Sequence, residues 1–170
     1  MADLPRFFRD RQIAVDHFAA DVLVICPRCG RPARVFAVDG TDNVYRAKQW
    51  RMVCPSCGNH RDKPRDSLSF YNGKRGGVCD PVFGLPLWLQ RSCCGGKLLW
   101  AYNLEHLSFV ESFVAATIRQ RSDAVRAGDG YRRMSMIARL PAWLKSAKHR
   151  DEILKVVQHL KHSIIRGVAA

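Results

Sequence analysis

The hydrophobic pattern changes at about residue 103, from short strand-like stretches before it to a period of three to four residues beyond it. A β-branched run at 22–25 leads into Cys26, and residues 33–38 alternate between apolar and polar. Residues 44–53 form a second strand-like stretch after the turn dipeptide Asp39-Gly40. The pattern therefore predicts a β-hairpin. Residues 59–77 are polar and rich in Arg, Asp and Gly, which predicts a loop or a weak strand.

Two further apolar runs, 85–89 and 98–102, are separated by the turn-like segment 91–96. Apolar runs of this length on either side of a glycine-containing turn are typical of a hairpin. We therefore expect a second, smaller β element.

Asn103 marks the change to helical periodicity, because Asn is a favoured N-cap residue. The pattern predicts an amphipathic helix at about 104–121 and a short helix at about 132–140 that ends at Pro141. The apolar face of the first helix consists of Leu107, Val110, Val114 and Ile118.

A last helix is predicted from Asp151 to about Arg166. At about 100° per residue, its apolar positions fall on one stripe and its cationic positions fall on the opposite one. The apolar stripe is Ile153, Val157, Leu160 and Ile164, and the cationic stripe is Lys155, His159, His162 and Arg166. We expect the first stripe to face a core and the second to face a polyanion, with an ordinary solvated face as the alternative.

Four of the seven cysteines form two CxxC pairs, at 26–30 (CPRCG) and 54–58 (CPSCG), one at each end of the first hairpin. The N-terminus shows no export signal, so this pattern indicates metal ligation instead of disulfides. Two such pairs complete a closed tetrahedral site, in which a metal is structural. We expect zinc bound by Cys26, Cys29, Cys54 and Cys57, with iron or a redox dithiol as alternatives.

The other cysteines, Cys79, Cys93 and Cys94, are predicted to be small buried side chains at the end of the second hairpin. A second metal site that also uses His106 is the alternative. A buried core histidine is the favoured interpretation of His106.

Composition adds a strong positive charge to this picture. The 170 residues are 47% hydrophobic, enough for one domain or two small ones, and they carry a formal charge of +13 with a pI near 9.9. Residues 26–80 contain eleven basic and five acidic residues, and residues 119–170 contain twelve and four. Such charge favours a polyanionic partner. No apolar run of membrane-spanning length occurs, so we expect a cytoplasmic protein without a membrane partner.

Two basic clusters are candidate phosphate contacts. Near the CxxC pairs, Arg46 and Lys48 would share a strand face with Trp50, which either stacks on unpaired bases or covers the thin core of the hairpin. Further basic residues precede the last helix and extend its cationic stripe. They are Arg132, Arg133, Lys145, Lys148 and Arg150.

A resemblance adds to these observations. The two CxxC knuckles resemble the zinc ribbon of the transcription factor IIB type, a fold also seen in many nucleic-acid-processing proteins. The stretches 80–89 (DPVFGLPLWL), 100–107 (WAYNLEHL) and 139–148 (RLPAWLKSAK) are similar to a family of small bacterial proteins. That family is described as containing such a ribbon, and is sometimes labelled as related to the replication-restart helicase. The resemblance covers about 22–160. It implies the same four zinc ligands and no reaction.

Together these features predict an α+β protein: a zinc-ribbon β-hairpin module, then a small β element and two to three helices packed on it through tryptophans. The expected tryptophans are Trp88, Trp100 and Trp143. The expected parts are an N-terminal extension (1–21), the zinc ribbon (22–60), a basic and polar loop (61–79) and an α+β region (80–170).

The expected function is non-catalytic nucleic-acid binding, DNA or RNA, compatible with a subunit of a larger bacterial nucleic-acid machine. The alternative is a protein-interaction adaptor that uses the ribbon and the aromatic middle of the chain. No catalytic motif recommends an enzyme. The first enzymatic alternative is a metal-dependent nuclease that uses His60, Asp62 and Asp66.

Overall fold

The structure is a computed structural model that describes residues 7–41, 46–65, 78–120 and 135–169, and the fold is mixed α/β. The strands are β1 (Phe7–Arg9), β2 (Asp21–Ile25), β3 (Pro32–Ala37), β4 (Gln49–Val53), β5 (His60–Pro64), β6 (Gln90–Cys93), β7 (Lys97–Trp100) and β8 (Ile118–Gln120). The α-helices are α1 (Leu104–Ala115), α2 (Met136–Arg139), α3 (Ala142–Lys145) and α4 (Arg150–Ala169). Val15–Ala20 and Ala147–His149 form 3₁₀-helices.

Strands β2 to β5 form one antiparallel sheet in sequence order. Every second side chain of β2 and β4 is buried, because successive residues of a strand point to opposite faces. The buried face packs into one hydrophobic core. Its largest members are Val22, Val24, Val35, Trp50, Met52, Val82 and Leu87.

The predicted first hairpin is present, but its returning strand begins only at Gln49. Of the two alternatives for the polar segment, a loop or a weak strand, its first residues form a strand at the sheet edge, His60–Pro64. Its residues are mostly exposed. Backbone pairing with β4 therefore holds β5 in place, and a hydrophobic pattern could not reveal it.

The second hairpin exists, but the prediction of its first strand was wrong. The strands are β6 and β7, joined at 94–96, so β6 lies inside the segment predicted as the turn. The apolar run 85–89 instead lies along the free edge of β2. Trp88 N donates to Leu23 O at 2.9 Å, and Ile25 N donates to Pro86 O at 2.9 Å. Burial of Leu87 and Leu89 against neighbouring elements explains the apolar character of this run.

A second core lies between the β6–β7 hairpin and helices α1 and α4. Ile153, Val157 and Leu160 of α4 are buried in it, as predicted. The N-terminal segment belongs to this part of the molecule, since β1 pairs in parallel with β8 and Phe8 is buried. No helix within the described ranges has the length and apolarity needed to span a membrane.

Helix α1 begins at its predicted N-cap, because the Asn103 side chain accepts a hydrogen bond from His106 N at 2.8 Å. It ends at Ala115, earlier than the predicted residue 121. Ile118, expected on the buried face of the helix, lies in β8 and is half exposed.

His106 is the core histidine that the sequence favours. It is 3% exposed, and its ring stacks on Phe18 with centroids 4.7 Å apart. Its Nδ1 accepts a hydrogen bond from Tyr102 N at 3.2 Å, which requires the neutral ring. Burial lowers the pKa of His106 to about 4.

This burial predicts a loss of stability in acid. Below pH 6.5 the unfolded chain protonates His106 while the folded chain does not, so stability falls until the pH reaches the folded pKa of about 4. Across this pH range, the effect of His106 lowers the free energy of unfolding by about 3 kcal/mol. We expect the free energy of unfolding of the wild type to fall more steeply over this range than that of His106→Gln. Denaturant unfolding at several pH values measures the difference, and equal slopes would contradict the assignment.

Candidate metal centre and basic surface

The four predicted ligands converge at one end of the four-stranded sheet. Their sulfur atoms all lie within 4.8 Å of one another. The Sγ atoms of Cys26 and Cys57 are 3.8 Å apart, and those of Cys29 and Cys54 are 3.5 Å apart. A tetrahedral site with Zn–S bonds of about 2.3 Å places its sulfurs about 3.8 Å apart. The cluster therefore has the dimensions of a site that could hold a metal ion, consistent with structural zinc.

The same local fold presents each pair of thiols. Cys26 is the last residue before a tight turn in which Gly30 N donates to Cys26 O at 2.9 Å. The second pair repeats this turn, with Gly58 N donating to Cys54 O at 3.0 Å. Both glycines have φ near +70°, a conformation that side chains with a Cβ rarely adopt. The CPxCG sequence thus encodes the turn that brings the two sulfurs of each pair together.

Ionisation of the cluster is uneven without a cation. Burial raises the pKa of Cys26, but hydrogen bonds from the backbone of Cys29 and Arg28 and from the Asn59 amide outweigh it and lower the pKa to about 6. Arg31 N donates a hydrogen bond that favours the Cys29 thiolate. Burial and the neighbouring thiols prevail, however, and raise the pKa of Cys29 to about 12. Ionisation of one cysteine therefore disfavours ionisation of the other three. A divalent cation would let all four ionise together.

The residues next to this cluster do not form the predicted stacking surface. Trp50 is fully buried and lies opposite Ala37 in the sheet, so the core interpretation is correct and the base-stacking one is wrong. Arg46 and Lys48 are exposed but lie before β4 begins, so strand alternation does not align them with Trp50.

The cationic stripe of α4 has the predicted geometry. Lys155, His159, His162 and Arg166 are all exposed, on the side opposite the buried apolar positions. The sequence did not identify Arg91 of β6, whose Nη1 lies 2.6 Å from His159 Nε2. Packing of β6 against α4 brings this arginine beside the helix, so no local pattern could have indicated it.

The basic residues upstream of α4 have mixed roles. Arg150 was predicted to contact phosphate, but its guanidinium donates to Val114 O and Ala116 O at 3.1 and 3.3 Å. These carbonyls lie at the end of α1, where the helix itself supplies no donors, so Arg150 is structural. Lys145 donates to Ala138 O at 3.1 Å, and Lys148 is exposed. Arg132 and Arg133 lie outside the described residues.

The nuclease alternative finds little support in the placement of its residues. Asp62 accepts two hydrogen bonds from Arg51, at 2.7 and 2.8 Å, and a third from Gln49. This ion pair lowers the pKa of Asp62. His60 is exposed on the same edge strand, and Asp66 lies outside the described residues.

The alternative of a second metal site that uses His106 does not form. His106 is enclosed by Phe18 and Trp100, and neither it nor Cys79 belongs to a cluster of metal-binding side chains among the described residues. Cys93 and Cys94 are buried at the turn of the second hairpin, as the structural interpretation predicts.

Cys54→Ser should weaken zinc binding at the four-cysteine cluster so that a chelator strips one zinc per chain, because water must take the place of a thiolate. We expect the free energy of unfolding to fall by about 2 kcal/mol or more, since metal binding stabilises only the folded sheet. Elemental analysis and thermal unfolding measure the two effects. Cys79→Ser, outside the cluster, is the control, and a Cys54→Ser protein with unchanged zinc content would contradict the ligand assignment.

Comparison with protein-family models, with curated proteins and with solved structures gives no match. The resemblance to zinc-ribbon proteins therefore stays a prediction from the sequence. What the site can do follows from its own ligands, charges and packing.

Proposed function

We propose that the protein binds nucleic acid without catalysis and that a structural zinc, held by the four cysteines, stabilises a zinc-ribbon sheet. Phosphates contact the cationic stripe of α4, defined by Lys155, His159, His162 and Arg166, together with Arg91. The observation that carries this proposal is the exposure of that whole stripe on a helix whose opposite side is buried.

The ligand set favours a structural role for the metal. Four thiolates leave no position for a water molecule, which metal-assisted hydrolysis requires. Zinc is the ion that four-thiolate tetrahedral sites most commonly hold, with iron as the other candidate. Cys26 and Cys54 are no more than 1% exposed, Cys57 is half-buried and Cys29 is exposed, so two of the four ligands anchor the site in the core of the sheet.

Charge pairing separates two kinds of basic residue. Arg34 and Arg51 on the sheet form bidentate ion pairs with Asp21 and Asp62. By contrast, the described ranges contain no acidic partner in ion-pair contact with Lys155 or Arg166. Exposed cations without such partners are available to a polyanion, and their contacts with phosphate release counterions.

The support behind the stripe is rigid. Glu111 of α1 accepts hydrogen bonds from Gln158 at 2.6 Å and from Lys161 at 2.5 Å, and Trp88 Nε1 donates to Ser163 Oγ at 3.1 Å. These bonds and the buried apolar stripe fix the orientation of α4. A fixed row of basic side chains suits phosphate contacts that position a backbone and read no bases.

An adaptor role is the second candidate. The aromatic middle of the chain gives it little support, because Trp88, Trp100 and Tyr102 pack against the cores. A different observation favours it: Phe7 and Ile118 are register partners in the β1–β8 pair, and they are 49% and 51% exposed. Adjacent exposed apolar side chains are typical of contact surfaces.

Replacing the four stripe residues Lys155, His159, His162 and Arg166 by Gln should weaken binding to fluorescent single- or double-stranded DNA or RNA about tenfold or more at moderate salt. The slope of log affinity against log salt should also fall, by about one for each lost phosphate contact. Titrations at several salt concentrations measure both quantities.

The matched control replaces three exposed arginines near the four-cysteine end, Arg28, Arg31 and Arg61, by Gln. We expect this variant to bind more tightly than the stripe variant. If the control loses binding and the stripe variant does not, the helix assignment is wrong. If the wild type binds no nucleic acid at low salt, the proposed function fails and the adaptor role is favoured.

A further inference from the structure

A second cluster of metal-binding side chains lies outside the four-cysteine site. One ligand atom each from Cys94, His149 and Glu152 fall within 4.8 Å of one another. They come from the turn of the β6–β7 hairpin and from the start of α4, which the fold brings together. The proposed function uses none of the three.

The hairpin turn positions the thiol. Cys94 has φ of +52°, and Gly95 and Gly96 follow with φ of +73° and +86°. The left-handed conformation costs about 1 kcal/mol for a residue other than glycine. The turn nevertheless has cysteine at its first position, and this side chain is 7% exposed.

The start of α4 positions the other two groups. His149 ends the 3₁₀-helix and Glu152 lies three residues later, a spacing that places two helical side chains on the same side. This segment is fixed by Arg150, which donates to Val114 O and Ala116 O, and by Ile153, which is fully buried. The ligands are therefore held in place by elements that pack elsewhere.

A direct contact joins the two sides. Cys94 N donates a hydrogen bond to Glu152 Oε1. That bond explains the position of one carboxylate oxygen. The Cys94 thiol is also within hydrogen-bonding reach of Glu152, and neither contact accounts for the imidazole of His149 at the same carboxylate.

We propose that Cys94, His149 and Glu152 form a second zinc site, with three protein ligands and a fourth position open to water. A thiolate, an imidazole and a carboxylate are the three donor types that proteins use for zinc. His149 is partly exposed and Glu152 is exposed, so an ion reaches the site from solvent and exchanges more readily than at the four-cysteine cluster. This site goes beyond the proposed function, which needs only the first metal.

Cobalt detects the second site separately from the first. The whole protein is loaded with one equivalent of Zn²⁺, which fills the four-cysteine cluster, and is then titrated with Co²⁺. Zinc binds such ligands more tightly than cobalt does, so it stays in place. We expect one further equivalent of Co²⁺ to bind, with the visible bands of a low-symmetry site and a sulfur-to-cobalt charge-transfer band.

Cys94→Ala and His149→Ala should each weaken cobalt binding at least about 100-fold, because even the partners behind metal ligands contribute 10–100-fold to affinity. Glu152→Gln should weaken it as well. Cys93→Ala, a buried neighbour outside the cluster, is the control and should bind cobalt as the wild type does. If circular dichroism shows that Cys94→Ala is unfolded, the test depends on His149→Ala, because His149 is partly exposed.

Two results would overturn the proposal: no second equivalent in the wild type, or unchanged cobalt binding in folded His149→Ala and Cys94→Ala. Neither result bears on nucleic-acid binding, which is measured with the stripe variant. Loss of cobalt binding in Cys93→Ala alone would also overturn the ligand set.

Discussion

Four thiols within 4.8 Å of one another, at the end of a small sheet, are the constraint on which the rest of the account depends. Thiolates at this distance would repel one another. Hydrogen bonds lower the pKa of Cys26, while desolvation and the neighbouring thiols raise the pKa of Cys29. A divalent cation would remove this repulsion, because each thiolate would then gain a bond. The energy of metal binding would thus become folding energy for the turns that carry the cysteines.

The four-stranded sheet connects the four-cysteine cluster to the helical part of the molecule. Strand β2 leads directly into Cys26. One edge of β2 pairs with β3, and the other is hydrogen-bonded to the apolar segment 85–89, which continues into the β6–β7 hairpin. Helix α4 packs against the hairpin and α1. A continuous series of packed elements therefore links the cationic stripe of α4 to the four sulfurs.

The features that the sequence predicted are those set by short-range chemistry. Paired CPxCG turns, the Asn103 cap and the two stripes of α4 each depend on residues a few positions apart, so spacing alone indicates them. What it left open or missed depends on partners distant in sequence. Pairing with β4 decides that the segment predicted as a loop or weak strand begins as a strand, and the sheet decides that Trp50 is buried. Arg150, expected to contact phosphate, is bound to carbonyls of a different helix. The apolar run 85–89 was mistaken for a hairpin strand because a segment buried along a sheet edge has the same composition. Similarly, Cys94 meets His149 and Glu152 only after two elements pack together.

X-ray absorption at the zinc edge, on protein loaded with one equivalent of zinc, identifies the atoms bound to the metal. We expect four sulfur atoms at about 2.3 Å and no nitrogen or oxygen ligand. A shell dominated by nitrogen or oxygen, or a protein that retains no zinc, would contradict it.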